Sequence, residues 1–203
     1  MKRKIPCFCD NAFTVEYPEE IDLDARPEYL DEIMDGSFMN FTCTSCGKKH
    51  KPEFPITAAW PSRGMRLEVI PELDRGEFYR KKSGQRNAET IIGYPEMADR
   101  IAVFRDGLDP LIIEAIKYYL LLKAEESYPD QEVNIWYQSQ SPGFLELHLH
   151  GFNEDEIAVT KVPMAVYEKT VQDYKKNPRG ELFKSLRQSS YLSVQNMRRF
   201  DGR

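Results

Sequence analysis

No stretch of this sequence approaches the roughly 20 apolar residues that a membrane-spanning helix requires. The LLL of Leu120–Leu122 is short and sits inside a charged pattern. The opening MKRKIPCFC is basic but is not followed by the apolar region and small-residue cleavage site of a secretory signal. Also missing are G-x-S-x-G, the phosphate loop G-x-x-x-x-G-K and H-E-x-x-H. Three histidines in 203 residues leave few acid–base candidates, and no catalytic residue is singled out. Neither an internal repeat nor a low-complexity tract is found. The expectation from these absences is a cytoplasmic protein whose role is binding or scaffolding, with an enzyme carrying its cleft between two parts of the chain as the alternative.

Positive charge is short as well. The net charge is −5, and the segment through Trp60 holds seven Lys/Arg against eleven Asp/Glu, the reverse of an ordinary phosphate-binding surface. The basic KKHK at 48–51 stands almost alone in this count. A protein partner is therefore expected and nucleic acid is not, with a nucleic-acid binder standing as an alternative behind the enzyme.

What the sequence does hold is four cysteines in two pairs, Cys7-Phe-Cys9 and Cys43-Thr-Ser-Cys46. In a reducing compartment, closely spaced thiols serve as metal ligands or redox groups more often than as disulfides. Zinc takes four tetrahedral ligands and suits thiolates, and two chelating turns joined by an intervening unit supply them. Gly47 permits the tight turn after Cys46. One residue between Cys7 and Cys9 is a short bite; were only one of them a ligand, His50 is placed to substitute. Two alternatives remain: a redox dithiol of Cys43 and Cys46, which would ordinarily open a helix, and plain burial of four small apolar side chains.

Between the pairs, FTVEY alternates as a strand, a helix follows Pro27 with Leu30, Ile33 and Met34 on one face and Gly36 at its end, and SFMNFTC reads as a return strand. Extended segments are expected at KPEFPITAAW, MRLEVIPEL, EFYRKK, ETIIGY and RIAVFRDGLD, with a loop at KKSGQRN. Asp109 and Pro110 cap and open a long helix with Ile112, Ile116, Tyr119, Leu120 and Lys123 on its stripe. EVNIWYQ, GFLELHLHGF and EIAVTKV read as three strands, and VPMAVYEKTVQDYKK and ELFKSLRQ as helices. His148 and His150 fall on the solvated face of their strand, opposite Leu145, Leu147 and Leu149, and Trp136 and Tyr137 on opposite faces of theirs.

The order of cysteine turn, FTVE, acidic IDLD, PEYLDEIMDG and FTCTSCG resembles the CpXC domain family, a zinc-ribbon-like group, and DGLDPLIIEAIKYYLL resembles that family's helix. The resemblance implies one structural zinc and carries over Cys43 and Cys46 as ligands; it implies no activity. The pattern C-P-x-C is here P-C-F-C, so Cys7 and Cys9 depart from it in spacing. The expected architecture is α+β, a zinc-ribbon-containing domain over residues 1–126 with antiparallel strands and a long helix, and a strand and helix extension over 127–203.

Overall fold

The computed structural model describes residues 1–80, 88–153, 156–187 and 190–200, and the KKSGQRN segment lies outside them. The fold is α+β. Two compact units are present, one of Met1–Lys82 and Thr90–Ala98, the other of Ser83–Glu89 and Asp99–Arg203. Among the described residues no helix is long and apolar enough to cross a membrane.

The first unit opens with β1 (Lys2–Pro6) and β2 (Ala12–Glu16), an antiparallel hairpin pairing Ile5 with Phe13. Ile5, Phe13 and Val15 are buried while their neighbours along the strands are exposed, which is the period of two read in FTVEY. Then come β3 (Glu20–Asp22) and α1 (Glu28–Met34), with Pro27 at the cap position and Ile33 buried. The expected return strand is shorter than SFMNFTC: only Phe41–Thr42, β4, is extended, paired with β5 (Lys49–His50). Met39, at φ 59°, turns the chain in the left-handed region just before it.

A second sheet has the order β3-β6-β7-β8, from β6 (Ile56–Trp60), β7 (Met65–Ile70) and β8 (Glu89–Ile92); β3 runs parallel to β6, and β7 antiparallel to it. Tyr17 stacks on Phe54 with ring centroids 4.0 Å apart, and the Tyr94 hydroxyl donates to the Phe54 carbonyl at 3.1 Å. These contacts join the cysteine-bearing hairpins to the apolar core of their unit.

Two expected strands are helices. EFYRKK contributes to α2 (Arg75–Arg80), where Phe78 is the buried residue and Arg75 pairs with Glu72 three residues earlier and with Glu96 at 2.8 Å. RIAVFRDGLD falls largely in α3 (Tyr94–Arg105). Met97, Ile101, Ala102 and Val103 are all buried there, so the helix has no solvent face from which a 3.6-residue period could be read.

In the second unit α4 (Pro110–Ser127) begins as expected, with Asp109 Oδ1 accepting from the Leu111 N–H at 2.9 Å. Its buried side includes Ile112, Ile113, Ile116, Leu121 and Ala124, whereas Tyr119 and Lys123, placed on the stripe by sequence, are exposed. The helix packs on β9 (Asn134–Ser141), the edge of an antiparallel meander with β10 (Phe144–Asn153) and β11 (Glu156–Pro163), and on α5 (Met164–Lys176) and α6 (Glu181–Leu186); α7 spans Gln195–Phe200. Leu145, Leu147 and Leu149 are buried and His148 and His150 lie on the other, half-exposed face. Gly151 sits at φ 107°, and a Cβ there would lie 2.1 Å from the Glu132 carbonyl oxygen, so this bend accepts glycine alone.

One feature of the second unit has no sequence signature. Lys117 is buried with its Nζ 2.5 Å from Asp99 Oδ2 and 2.7 Å from Glu114 Oε1, and buried Arg100 lies 2.7 Å from Glu89 Oε1 and 3.5 Å from Glu114 Oε1. The free ends of these groups reach backbone: Asp99 accepts from Tyr137 N–H, Glu114 from Val194 N–H, and Arg100 donates to the Leu192 carbonyl. Asp99, Glu114 and Lys117 are thereby held by hydrogen bonds as well as by opposite charge.

Candidate metal centre

Each cysteine pair occupies the turn of a two-stranded hairpin. In the first, Cys7 N–H donates to the Asn11 carbonyl at 2.8 Å and Asp10 N–H to the Cys7 carbonyl at 3.1 Å, with Asp10 in the left-handed region at φ 63°. In the second, Cys43 N–H donates to Lys48 O at 2.9 Å and Gly47 N–H to Cys43 O at 3.0 Å, Gly47 having φ 72°. Asp and Gly at these positions tolerate the conformation with the least strain.

The turns face one another. Cys7 Sγ lies 3.5 Å from Cys46 Sγ and Cys9 Sγ 3.9 Å from Cys43 Sγ, and all four sulfurs fall within 4.8 Å of one another. These separations are far longer than the roughly 2.05 Å of a disulfide, and the four cysteines are free. They bracket the S···S edge of about 3.8 Å that a tetrahedron of metal–sulfur bonds near 2.3 Å would have. The four sulfurs could thus hold a single metal ion.

Backbone amides prepare the sulfurs for negative charge. The Asn11 N–H, followed by the thiols of Cys46 and Cys7, draws Cys9 down to about 6. Amides of Ser45 and Cys46 lower Cys43. At Cys7 the Cys9 N–H acts in the same direction, but burial and the three neighbouring thiols outweigh it and push the group up to about 12. The quartet therefore holds protons on some sulfurs because several thiolates cannot crowd together, and a cation at its centre would remove that repulsion.

His50 stands next to this quartet, its Nε2 3.1 Å from Cys7 Sγ, and its ring lies between Phe8, on which it stacks at a centroid distance of 5.7 Å, and Phe13, against which it tilts at 5.5 Å. This candidate substitute ligand lies against one sulfur of a set already numbering four. Asn11 went unnoticed in the sequence. Its side-chain amide lies 3.7 Å from Cys9 Sγ, in addition to the backbone contact, and the only signal was its place two residues after a C-x-C. The C-x-x-C pair lies in a hairpin turn rather than at a helix start, which removes the helix-dipole contribution a redox dithiol ordinarily uses. His148 is 3.2 Å from Glu146 and takes no part in this centre.

An α+β chain with two facing cysteine turns is the class that fold and site define. The chain belongs to the CpXC protein family, whose model matches residues 5–117 and so includes both cysteine turns and the first part of α4. It is also similar to an uncharacterized protein of Treponema pallidum (strain Nichols), 28% identical over 215 residues and covering 96% of this chain and 97% of that one. No solved structure matches.

Proposed function

We propose that the protein is a cytoplasmic binding or scaffolding module in which Cys7, Cys9, Cys43 and Cys46 hold one structural zinc ion. The observation that carries this reading is the fit of four mutually close sulfurs to a tetrahedral thiolate shell. Zinc suits the donor set because it accepts four soft ligands without a redox change. Reduced thiols in this number belong to a reducing compartment, which supports the cytoplasm. The metal's work is mechanical: it ties together hairpins of which β4 and β5 have only two residues each.

Four protein ligands leave no position for a water to be activated, so the site is closed. Cobalt substitution tests this. Intense thiolate charge-transfer and tetrahedral bands are expected, and they should be unchanged by azide or other small anions. A spectrum that shifts on adding anion would reveal an exchangeable ligand and transfer the reading to a catalytic metal.

His50 acts from outside the shell, its Nε2 3.1 Å from the Cys7 sulfur and placed to donate to it once that sulfur is a metal-bound thiolate. His50→Ala should retain one metal per chain while weakening affinity about tenfold, the effect typical of groups that orient a ligand. Chelator competition measures both quantities. Loss of stoichiometric binding would instead make His50 a ligand.

A further inference from the structure

The residue between two cysteines that both turn inward must itself point outward. In this protein that residue is Phe8, and its ring is 87% exposed. A polar side chain would meet the geometric demand with no apolar surface in water. The ring is also not isolated: Phe13 is buried, His50 packs on it, and Phe8 lies over His50 with planes 21° apart. Phe8 stacks on His50, and His50 meets Phe13 at a tilt of 57°, so the three rings run from the core at one end to solvent at the other.

Charge in the two hairpin segments is distributed differently from that of the chain through Trp60 as a whole. Of the seven Lys/Arg through Trp60, six lie in the two hairpin segments 1–16 and 41–51: Lys2, Arg3, Lys4, Lys48, Lys49 and Lys51. Only two of the eleven acids, Asp10 and Glu16, are found there. The acidic balance that argued against nucleic acid comes from 17–40 and Glu53, outside the hairpins. All six cations are exposed; Lys2 shares Glu16 at 3.9 Å and Lys51 donates to the Gly36 carbonyl at 2.8 Å.

We propose that the paired hairpins bind single-stranded nucleic acid, with an unpaired base stacking on the outer face of Phe8 and phosphates meeting Lys48 and Lys49. An open aromatic face on hairpin segments that carry six exposed cations and two acids is the combination that unstacked bases on a charged backbone satisfy, whereas an acidic peptide would use the cations and leave the ring unfilled. A duplex keeps its bases stacked on one another and offers the ring nothing equivalent. This surface rests on the reading of the hairpins as a metal-held module, because both Phe8 and His50 are positioned by turns that the cysteines close.

The test is fluorescence anisotropy with the full, metal-loaded chain and labelled oligothymidylate or oligouridylate of about 15 nucleotides, within the site sizes usual for such surfaces. Titrations are repeated over a range of KCl. Phe8→Ala should weaken binding about tenfold at every salt concentration without altering the log–log salt slope, and Phe8→Trp should restore it. Lys48→Gln with Lys49→Gln should reduce the slope by about 1.4, from roughly 0.7 for each phosphate contact on a single strand. Duplex of equal length should bind at least tenfold more weakly. Metal content is measured on every variant. A metal-loaded wild type that does not bind, that binds equally well without the Phe8 ring, or that prefers polyglutamate would overturn the surface and leave the metal reading intact. Oligonucleotide binding with these variant effects by a chain that never acquires metal would overturn the metal reading and keep the surface.

Discussion

Replacing Cys43 with serine is expected to abolish stoichiometric metal binding and to destabilise the protein by several kcal/mol or more, because metal binding and folding share one free energy in such sites. Cys43 is 2% exposed, so burial alone would make its loss harmful. Cys46 supplies the control. It is exposed, and as a free thiol its replacement by serine would have an effect within about 0.5 kcal/mol. As a ligand it should match Cys43→Ser in both metal content and loss of thermal stability. Thr44→Ser, at an exposed position between them, should leave both unchanged. Equal folding of wild type and Cys46→Ser in the presence of zinc would show that the sulfurs pack without a metal.

The second large effect is expected far from the cysteines in sequence. Lys117→Met should cost about 3–5 kcal/mol, read from urea denaturation, since it leaves the Asp99 and Glu114 carboxylates buried with one fewer cation. Its pH dependence identifies the cause. Burial works against charge on Lys117, but Asp99 and Glu114 outweigh it and raise the group above its ordinary 10.5. A raised lysine contributes fully below that value, and the contribution disappears as pH rises through the folded value. Burial raises Asp99; at Glu114 it is overcome by Lys117 and Arg100, which lower the carboxyl below its ordinary 4.5. The penalty of the variant should accordingly be greatest between these ranges, shrinking in strong alkali as Lys117 deprotonates and in acid as the carboxyls take up protons. A penalty constant from pH 4 to pH 11 would assign the loss to packing of the lysine stem.

Local chemistry was legible in the sequence and long-range chemistry was not. The cysteine turns could be read because ligand spacing and Gly47 are local, and the start of α4 because Asp109 and Pro110 are adjacent. The α3 helix was misread since its charged residues Glu96, Asp99 and Arg100 are buried with its apolar ones, erasing the contrast on which periodicity depends. At Phe78 a short helix with one buried ring looked like an alternating strand. Asp99, Glu114 and Lys117 pass for solvated surface charges until the fold brings them together. For the metal centre, the two half-sites were visible, but the contact of His50 with Cys7 and its place between Phe13 and Phe8 depend on how the hairpins pack. The basic residues that composition averages away fall in the segments that form these hairpins.

Elemental analysis of the folded chain, purified without added metal and paired with native mass spectrometry, tests the central claim most directly. The account predicts one zinc per chain, removed together with the folded signal of the cysteine hairpins when a strong chelator is applied. A fully folded chain free of metal, with four titratable thiols and unchanged thermal stability on adding zinc, would contradict it.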